Sequence, residues 1–518
     1  MSRAPRDRNW RAPITAALGG VVFALSSPPT DFYPAVLIGL GLLYVSTQAV
    51  VRIRAAMLMA VIWSTCAGLV GLRFVPSVIV RFTNLGLAVG VLALVLLCII
   101  QSGTWAIGLG AARALEKRTG LDPRVGFGLG TLVAISFVFV IAWTPAGLIS
   151  PWPVFVQLAD LIGEKGVSVL IAFAAALLAS PFVRYVARAA PSTSRPWIAP
   201  LLGAALLTLL AVHGAVRMRQ VRAAHDTLPT LKLGVVQAAV EARLRWQSGA
   251  REQILSRLRR LTADSERGGA ELTLWPEAAH PFVLAHAPGR MQRGRRAIVG
   301  GDVRGPVLFG LITSVPQVDA GHNATTIVSP DGMIQLPQAK MELLWFGETV
   351  PFGEHLPFLR KMFSRAGGLI PGKDVSILTS GPARIGVLNC YEDTLPAIGR
   401  KVAKVEPNLL VNVTNDAWFG PTAEPELHLR LSALRAVETR LDLVRAVNLG
   451  VPAWIDASGA VRARGSAETE GVMFVEPAIA TRGPTVYVRF GDTPLWIAFG
   501  LAMVEAWRRR RLSATRKP

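Results

Sequence analysis

Between residues 13 and 216 the chain carries seven apolar runs, and the loops between them are rich in arginine on one alternate set only. Few folds tolerate this. Pro13 to Leu25 and Ala35–Ala49 read as a hairpin of two spans joined through Ser-Ser-Pro-Pro. Ala55–Leu72, Leu85–Ala112, Val125–Ala159, Gly166–Val183 and Pro196–Val216 are free of charge, each long enough for the ~20 helical residues that a bilayer requires. Pro145, Pro151 and Pro153 predict that the second half of the overlong Val125 run leaves the helix. An eighth run, Phe490–Trp507, is shortened by Asp492 and Glu505 and could span or lie in the interface.

The loop charges predict an orientation. Arginine and lysine collect at the N-terminus, at Arg52 and Arg54, around Lys117, around Arg188 and at Arg508–Arg511, while the alternate loops carry only Arg73, Arg81 and Lys165. By the positive-inside rule the N-terminus is cytoplasmic, and seven crossings place residues beyond about 217 outside. The formal charge of +21 would suit a nucleic-acid partner, but no basic stripe interleaved with aromatics occurs, and topology accounts for the arginines. We therefore expect no nucleic acid. The three cysteines, Cys66, Cys98 and Cys390, follow no pairing pattern, and neither CxxC nor HExxH is present. No disulfide framework, metal site or cofactor is expected.

Three domains follow: residues 1–216 as a membrane domain with seven helices, 229–485 as an outer α/β domain, and 488–518 as a last transmembrane helix with a basic cytoplasmic tail. In the outer domain, Leu231–Gln237 and Leu272–Trp275 read as strands, and Glu252–Ala263 as a helix with Ile254, Leu255, Leu258 and Leu261 on one face. Further strands are predicted at Ala297–Val303, Val307–Thr313, Ala324–Val328, Ile385–Leu388, Leu409–Val413, Leu443–Val447 and Ala453–Ile455. Strands with interspersed helices predict a layered α/β fold.

Chemistry concentrates at strand ends. Ile385 to Leu388 stops at Cys390, and Thr394-Leu-Pro396 follows as a helix start with a capping hydroxyl. A thiol facing a helix N-terminus lies where the dipole favours thiolate; the plainer alternative is a small buried hydrophobe. Glu277 follows Leu-Thr-Leu-Trp-Pro and is either a solvated loop residue or a general base at a cleft rim. Lys340 taken alone is a surface charge.

Together these residues resemble a known pattern. Trp275-Pro-Glu277, Lys340 and Asn389-Cys390-Tyr391-Glu392 resemble the Glu–Lys–Cys triad of the nitrilase, or carbon–nitrogen hydrolase, superfamily. The membrane segments, with Phe23-Ala-Leu-Ser-Ser-Pro-Pro and Val156-Gln-Leu-Ala-Asp, narrow the resemblance to the apolipoprotein N-acyltransferase family. His322-Asn323-Ala324, Asn415-Asp-Ala-Trp418-Phe-Gly and Arg445-Ala-Val-Asn extend it over nearly the whole chain.

The resemblance implies a multi-pass α-helical membrane domain plus a nitrilase-like α-β-β-α sandwich. It implies a bacterial inner-membrane enzyme whose catalytic domain is extracytoplasmic. A phospholipid would be the acyl donor and a diacylated apolipoprotein the acceptor, with Cys390 as nucleophile, Glu277 as base and Lys340 as oxyanion partner. Glu348, Tyr391 and Glu392 would support them, and Trp246 and Trp418 would lie near substrate. The family usually has Val-Pro-Phe-Gly-Glu after the lysine; here Leu344-Trp-Phe-Gly-Glu348 is followed by a second Phe-Gly-Glu ending at Glu354. Either glutamate could assist, and spacing from Lys340 favours Glu348.

Asp393 is an acid that the family pattern does not require. Phe358 and Phe363 belong to a stretch that reads either as an amphipathic helix packed on the domain or as a mobile arm dipping into the outer leaflet. Two other functions remain open at this point: a membrane-bound nitrilase-type amidase, and a lipoprotein-binding protein without catalysis.

Overall fold

The computed structural model describes residues 9–82, 85–137, 143–188, 195–241, 249–315, 320–362, 368–481 and 483–514. It comprises two compact units. One contains residues 1–79, 85–217 and 490–518; the other contains 80–84 and 218–489.

The first unit is helical. Four of its helices are long and apolar enough to cross a membrane: Ile53–Gly71, Leu87–Thr119, Ala159–Ala187 and Ile198–His225. Arg11–Ala24 and Ala35–Gln48 are 14 residues each, about 21 Å of helix against a hydrocarbon core of about 30 Å. They lie close together because Gly39 has no side chain: a Cβ there would fall 2.5 Å from that of Phe23. Trp63 closes the contact by donating from Nε1 to the Gly39 carbonyl at 2.9 Å. Small residues at such crossings let backbones approach where lipid offers no hydrophobic drive.

The overlong Val125 run does leave the helix. Pro123–Ser136 is helical, and a short helix, Pro145–Ile149, and a 3-10 turn, Pro153–Phe155, follow. Two acids of this unit are held in ion pairs, the usual arrangement for charge beside a membrane. Arg217 reaches Asp160 at 2.9 Å, and Lys165 reaches Asp492 at 2.6 Å. Asp492, which shortens the last apolar run, thus stands just ahead of the Thr493–Ala514 helix as half of an ion pair.

The second unit is an α-β-β-α sandwich. One sheet runs in the order Gly471–Val475, Leu233–Gln237, Leu272–Leu274, Val307–Val315, Ala320–Val328, with short strands beyond. The other runs Val461–Arg464, Ala453–Ile455, Leu443–Asn448, Leu409–Asn415, Ala383–Asn389, Leu378–Ser380. The central strands of each are parallel. Leu233–Gln237, Leu272–Leu274, Leu409–Asn415 and Leu443–Asn448 are buried along their whole length, and mostly apolar, because both faces are covered. Between the sheets, Val235, Leu274 and Leu308 pack on Ile385, Val411 and Val444. The helix Ala250–Arg267 lays Ile254, Leu255, Leu258 and Leu261 on the outer face of the first sheet. The helices Pro396–Ala403 and Glu424–Thr439 cover the second.

Two local expectations are corrected. Ala297–Val303 is not a strand; it contains only a single bridge between Gly300 and Val303, and Ala297 and Ile298 serve the helix-side core. Thr394 does not cap the following helix. Its hydroxyl donates to the Tyr391 carbonyl at 2.7 Å, and the helix begins at Pro396 from Leu395 without a side-chain cap.

Candidate active site

Glu277, Lys340 and Cys390 converge where strands end. Glu277 leaves the Leu272–Leu274 strand through Trp275-Pro276, and the turn is held from below by Trp275, whose Nε1 donates to Thr262 Oγ1 at 2.8 Å. Gly310 makes room for it: a Cβ at that position would fall 2.6 Å from both the Pro276 carbonyl and the Ala278 nitrogen. Lys340 follows the Gln338–Ala339 strand and is pinned by its N–H to the Asn323 carbonyl at 2.8 Å.

Cys390 ends the Ala383–Asn389 strand with φ +52° and opens the 3-10 turn Cys390–Thr394. A left-handed conformation costs a non-glycine residue energy. Asn412 holds it there, donating from Nδ2 to the Leu388 and Cys390 carbonyls at 3.1 and 2.8 Å.

Lys340 is the centre of the cluster. Its Nζ lies 2.8 Å from Glu348 Oε2 and 3.2 Å from Glu277 Oε1, with 1% of the side chain exposed. Burial alone would drive a lysine toward neutrality. Glu277, Glu348 and Cys390 more than offset it, and the ammonium is held well above its ordinary pKa. Burial raises Glu348 too, but Lys340, the Leu344 N–H and Asn323 together outweigh this and keep the carboxyl below its usual range. Glu348 Oε2 also accepts the Leu344 N–H at 2.9 Å. Glu354, the other candidate, is exposed; among the two, Glu348 alone touches the lysine.

The thiol is not the dipole-stabilised thiolate that the strand–helix junction predicts. Burial, reinforced by Glu277, raises the Cys390 pKa well above normal, and Lys340 offsets this only in part. A five-residue 3-10 turn aligns too few peptide dipoles to reverse the cost of burying a charge. The resting group is a neutral thiol that needs a base.

Tyr391 presents its ring to Lys340 Nζ at 5.5 Å from the centroid and donates its hydroxyl to the Leu343 carbonyl at 3.1 Å. Glu392 is fully buried and ties two segments together. One oxygen accepts the N–H groups of Met341 and Glu342 at 2.6 and 2.9 Å, the other that of Asn389 at 2.8 Å. It therefore couples the lysine segment to the cysteine turn. Burial pushes its carboxyl up to about 7, and these donors keep it from rising further.

Trp418 is half-buried in the 3-10 turn Asp416–Trp418, and Phe358 is 57% exposed on the short helix Pro357–Met362. Trp246 and Phe363 lie outside the described residues.

Two features escaped residue-by-residue reading. Asn323 bridges the acids, donating from Nδ2 to Glu277 Oε1 and Glu348 Oε1, each at 2.7 Å. The His322-Asn-Ala motif marks its position in sequence but not this role. Behind the cysteine turn lies a buried ion network. Asp393 pairs with Arg445 and accepts from His428 Nε2 at 2.8 Å, while His428 Nδ1 lies 3.4 Å from Asp416. Burial disfavours the imidazolium, but Asp393 and Asp416 outweigh it and raise His428 to about 10. Glu424 beside them is pushed up to about 8, chiefly by burial and then by Asp416.

A two-sheet sandwich with a buried acid–lysine–thiol cluster at the ends of its strands, joined in one chain to a bundle of apolar helices, defines a membrane-bound member of the carbon–nitrogen hydrolase class. Residues 232–485 match the carbon-nitrogen hydrolase family, and residues 19–177 match the apolipoprotein N-acyltransferase N-terminal domain. The apolipoprotein N-acyltransferase of Geobacter metallireducens is 31% identical over 69% of this chain and 68% of its own length. That of Bradyrhizobium diazoefficiens is 29% identical over 71% and 69%, and that of Gloeobacter violaceus 27% identical over 97% and 95%. The chain belongs to the apolipoprotein N-acyltransferase family, and it is a membrane protein.

Proposed function

We propose that this chain moves a fatty acyl group from a phospholipid, through a thioester on Cys390, to the α-amine of the N-terminal S-diacylglyceryl cysteine of a lipoprotein. The observation that carries the reading is a neutral, buried thiol beside a carboxylate and a lysine whose charge is secured by two acids. Glu277 takes the thiol proton as sulfur attacks the ester carbonyl, and Lys340 faces the oxygen that becomes negative. The glyceryl oxygen departs with the proton from Glu277. The incoming amine then loses its proton to Glu277, attacks the thioester and expels the sulfur, which recovers that proton. A thioester suits this sequence because it retains acyl-transfer potential and reacts readily with amines.

The enzyme works in the cytoplasmic membrane with residues 229–485 on the outer side, by the distribution of arginine. Seven helices precede that domain, and 488–518 brings the tail back. Hydrolysis of an amide by the same triad is disfavoured by the matched membrane domain, which a soluble substrate would not need.

The test is incubation of purified protein with radiolabelled phospholipid. We expect a hydroxylamine-sensitive adduct that maps to Cys390, is absent in Cys390→Ala, and chases onto a diacylated lipopeptide. An adduct on Cys66 or Cys98, or release of free fatty acid with no lipopeptide product, would overturn the reading.

A further inference from the structure

The mechanism makes no use of the acids behind the cysteine turn. Asp393 is matched by Arg445, which leaves His428 as the cation that Asp416 and Glu424 share. Glu424 opens the helix Glu424–Thr439, and His428 stands four residues on, one turn later on the same face. Asp416 opens the 3-10 turn Asp416–Trp418 where the Leu409–Asn415 strand ends. The fold brings one donor atom from each of these three side chains within 4.8 Å of the others. Asp416 is fully buried and His428 is 4% exposed. Asp416 Oδ2 and Glu424 Oε2 are shut off from solvent, and among the described residues no hydrogen bond reaches either. A buried carboxylate oxygen without a donor is costly unless a cation takes the donor's place.

We infer that Asp416, Glu424 and His428 bind a zinc ion, which ties the start of the helix to the strand end beside the cysteine turn. His428 Nδ1 lies 3.4 Å from Asp416 Oδ1, the separation of two ligands that each stand about 2.0–2.1 Å from a tetrahedral zinc. The other ring nitrogen, Nε2, is 2.8 Å from Asp393 Oδ1. A carboxylate in that position orients a metal-bound imidazole and fixes its tautomer. On binding, the metal replaces the proton on Nδ1, and Nε2 keeps its own. The doubly charged ion then meets two carboxylates, whereas an imidazolium alone leaves one of them unmatched. An imidazole in the set suits zinc better than magnesium or calcium, which take oxygen shells. Three protein ligands leave the fourth position to water. The ligands follow neither CxxC nor HExxH, so motif reading passes over them.

The test uses the full-length chain, purified in detergent without a histidine tag, stripped with EDTA and titrated with zinc chloride by calorimetry. We expect wild type to bind one equivalent. Glu424→Gln and Asp416→Asn keep the shape and lose the charge, and each should bind at least about tenfold more weakly. Zinc should raise the Tm of stripped wild type and leave that of Glu424→Gln unmoved. Cys390→Ala should bind as wild type does, since the thiol is not a ligand. X-ray absorption at the zinc edge should show nitrogen and oxygen neighbours at about 2.0–2.2 Å and no sulfur at about 2.3 Å.

Stripped wild type that takes up no zinc would overturn the inference and leave the two acids sharing a proton instead. So would undiminished binding in both acid variants, or sulfur in the zinc shell. Should Asp416→Asn not accumulate, Glu424→Gln, at the less buried edge of the cluster, is read by the same criterion. Failure of wild type to form any acyl adduct on Cys390 would remove the proposed function and leave this inference standing.

Discussion

Asn323 Nδ2 donates to Glu277 Oε1 across 2.7 Å, and it reaches Glu348 over the same distance. One amide thus sets the spacing of two carboxylates that would otherwise repel, with Lys340 between them. A base must be oriented before its basicity matters. Asn323→Ala is expected to slow acylation by about 10- to 100-fold, the range for a lost hydrogen bond to a charged group, with little change in the KM for phospholipid. Asn323→Asp should fare worse, since a third acid replaces the bridge. Single-turnover acylation with labelled phospholipid measures both.

Glu348 and Glu354 end similar Phe-Gly-Glu motifs, but only Glu348 is buried against the lysine. Glu348→Gln removes one of the two carboxylates beside Lys340 Nζ, and acylation should fall by about tenfold or more. Glu354→Gln changes an exposed side chain and should stay within about twofold of wild type. Equal losses in the two variants would refute the assignment.

The network behind the cysteine turn predicts a pH dependence of stability. His428 is raised to about 10 in the folded protein, against about 6.5 unfolded. The folded state binds this proton more tightly, so its stabilisation is complete below about pH 6.5 and lost as pH rises toward 10. Wild-type Tm should therefore fall between pH 7 and 10 more steeply than that of His428→Asn. Parallel curves would show that the ring is neutral when folded.

Phe352, Leu356 and Phe358 are 72%, 40% and 57% exposed between the lysine and cysteine segments. Apolar side chains this exposed suit contact with lipid better than with water. Replacing all three with serine is expected to lower the rate with phospholipid vesicles at least about tenfold while leaving a small soluble thioester donor within about twofold, since three aromatic and aliphatic groups would no longer partition. Equal loss on both donors would assign the segment to internal packing.

How much of this was legible in the chain follows the range of the forces involved. Apolar runs, loop arginines and the strand ends ahead of Glu277 and Cys390 are local patterns, because bilayer thickness and strand pleating impose periods that any sequence must obey. The resemblance of Glu277, Lys340 and Cys390 to one triad was visible in the short motifs around them, whereas the strand Gln338–Ala339 ahead of Lys340 was not predicted.

What tertiary structure decided are the relations that need register between distant segments. Asn323 becomes a bridge only because its strand pairs with both Val307–Val315 and Gln338–Ala339. Spacing from Lys340 already favours Glu348 over Glu354; the fold adds its contacts with Lys340 Nζ and with the Leu344 N–H. Asp393 reads as an extra acid in sequence, yet in the fold it closes an ion network with Arg445 and His428, residues 52 and 35 positions away. Local dipoles alone favour a Cys390 thiolate; burial, a property of the whole fold, outweighs them and raises its pKa, so the base expected at Glu277 is needed.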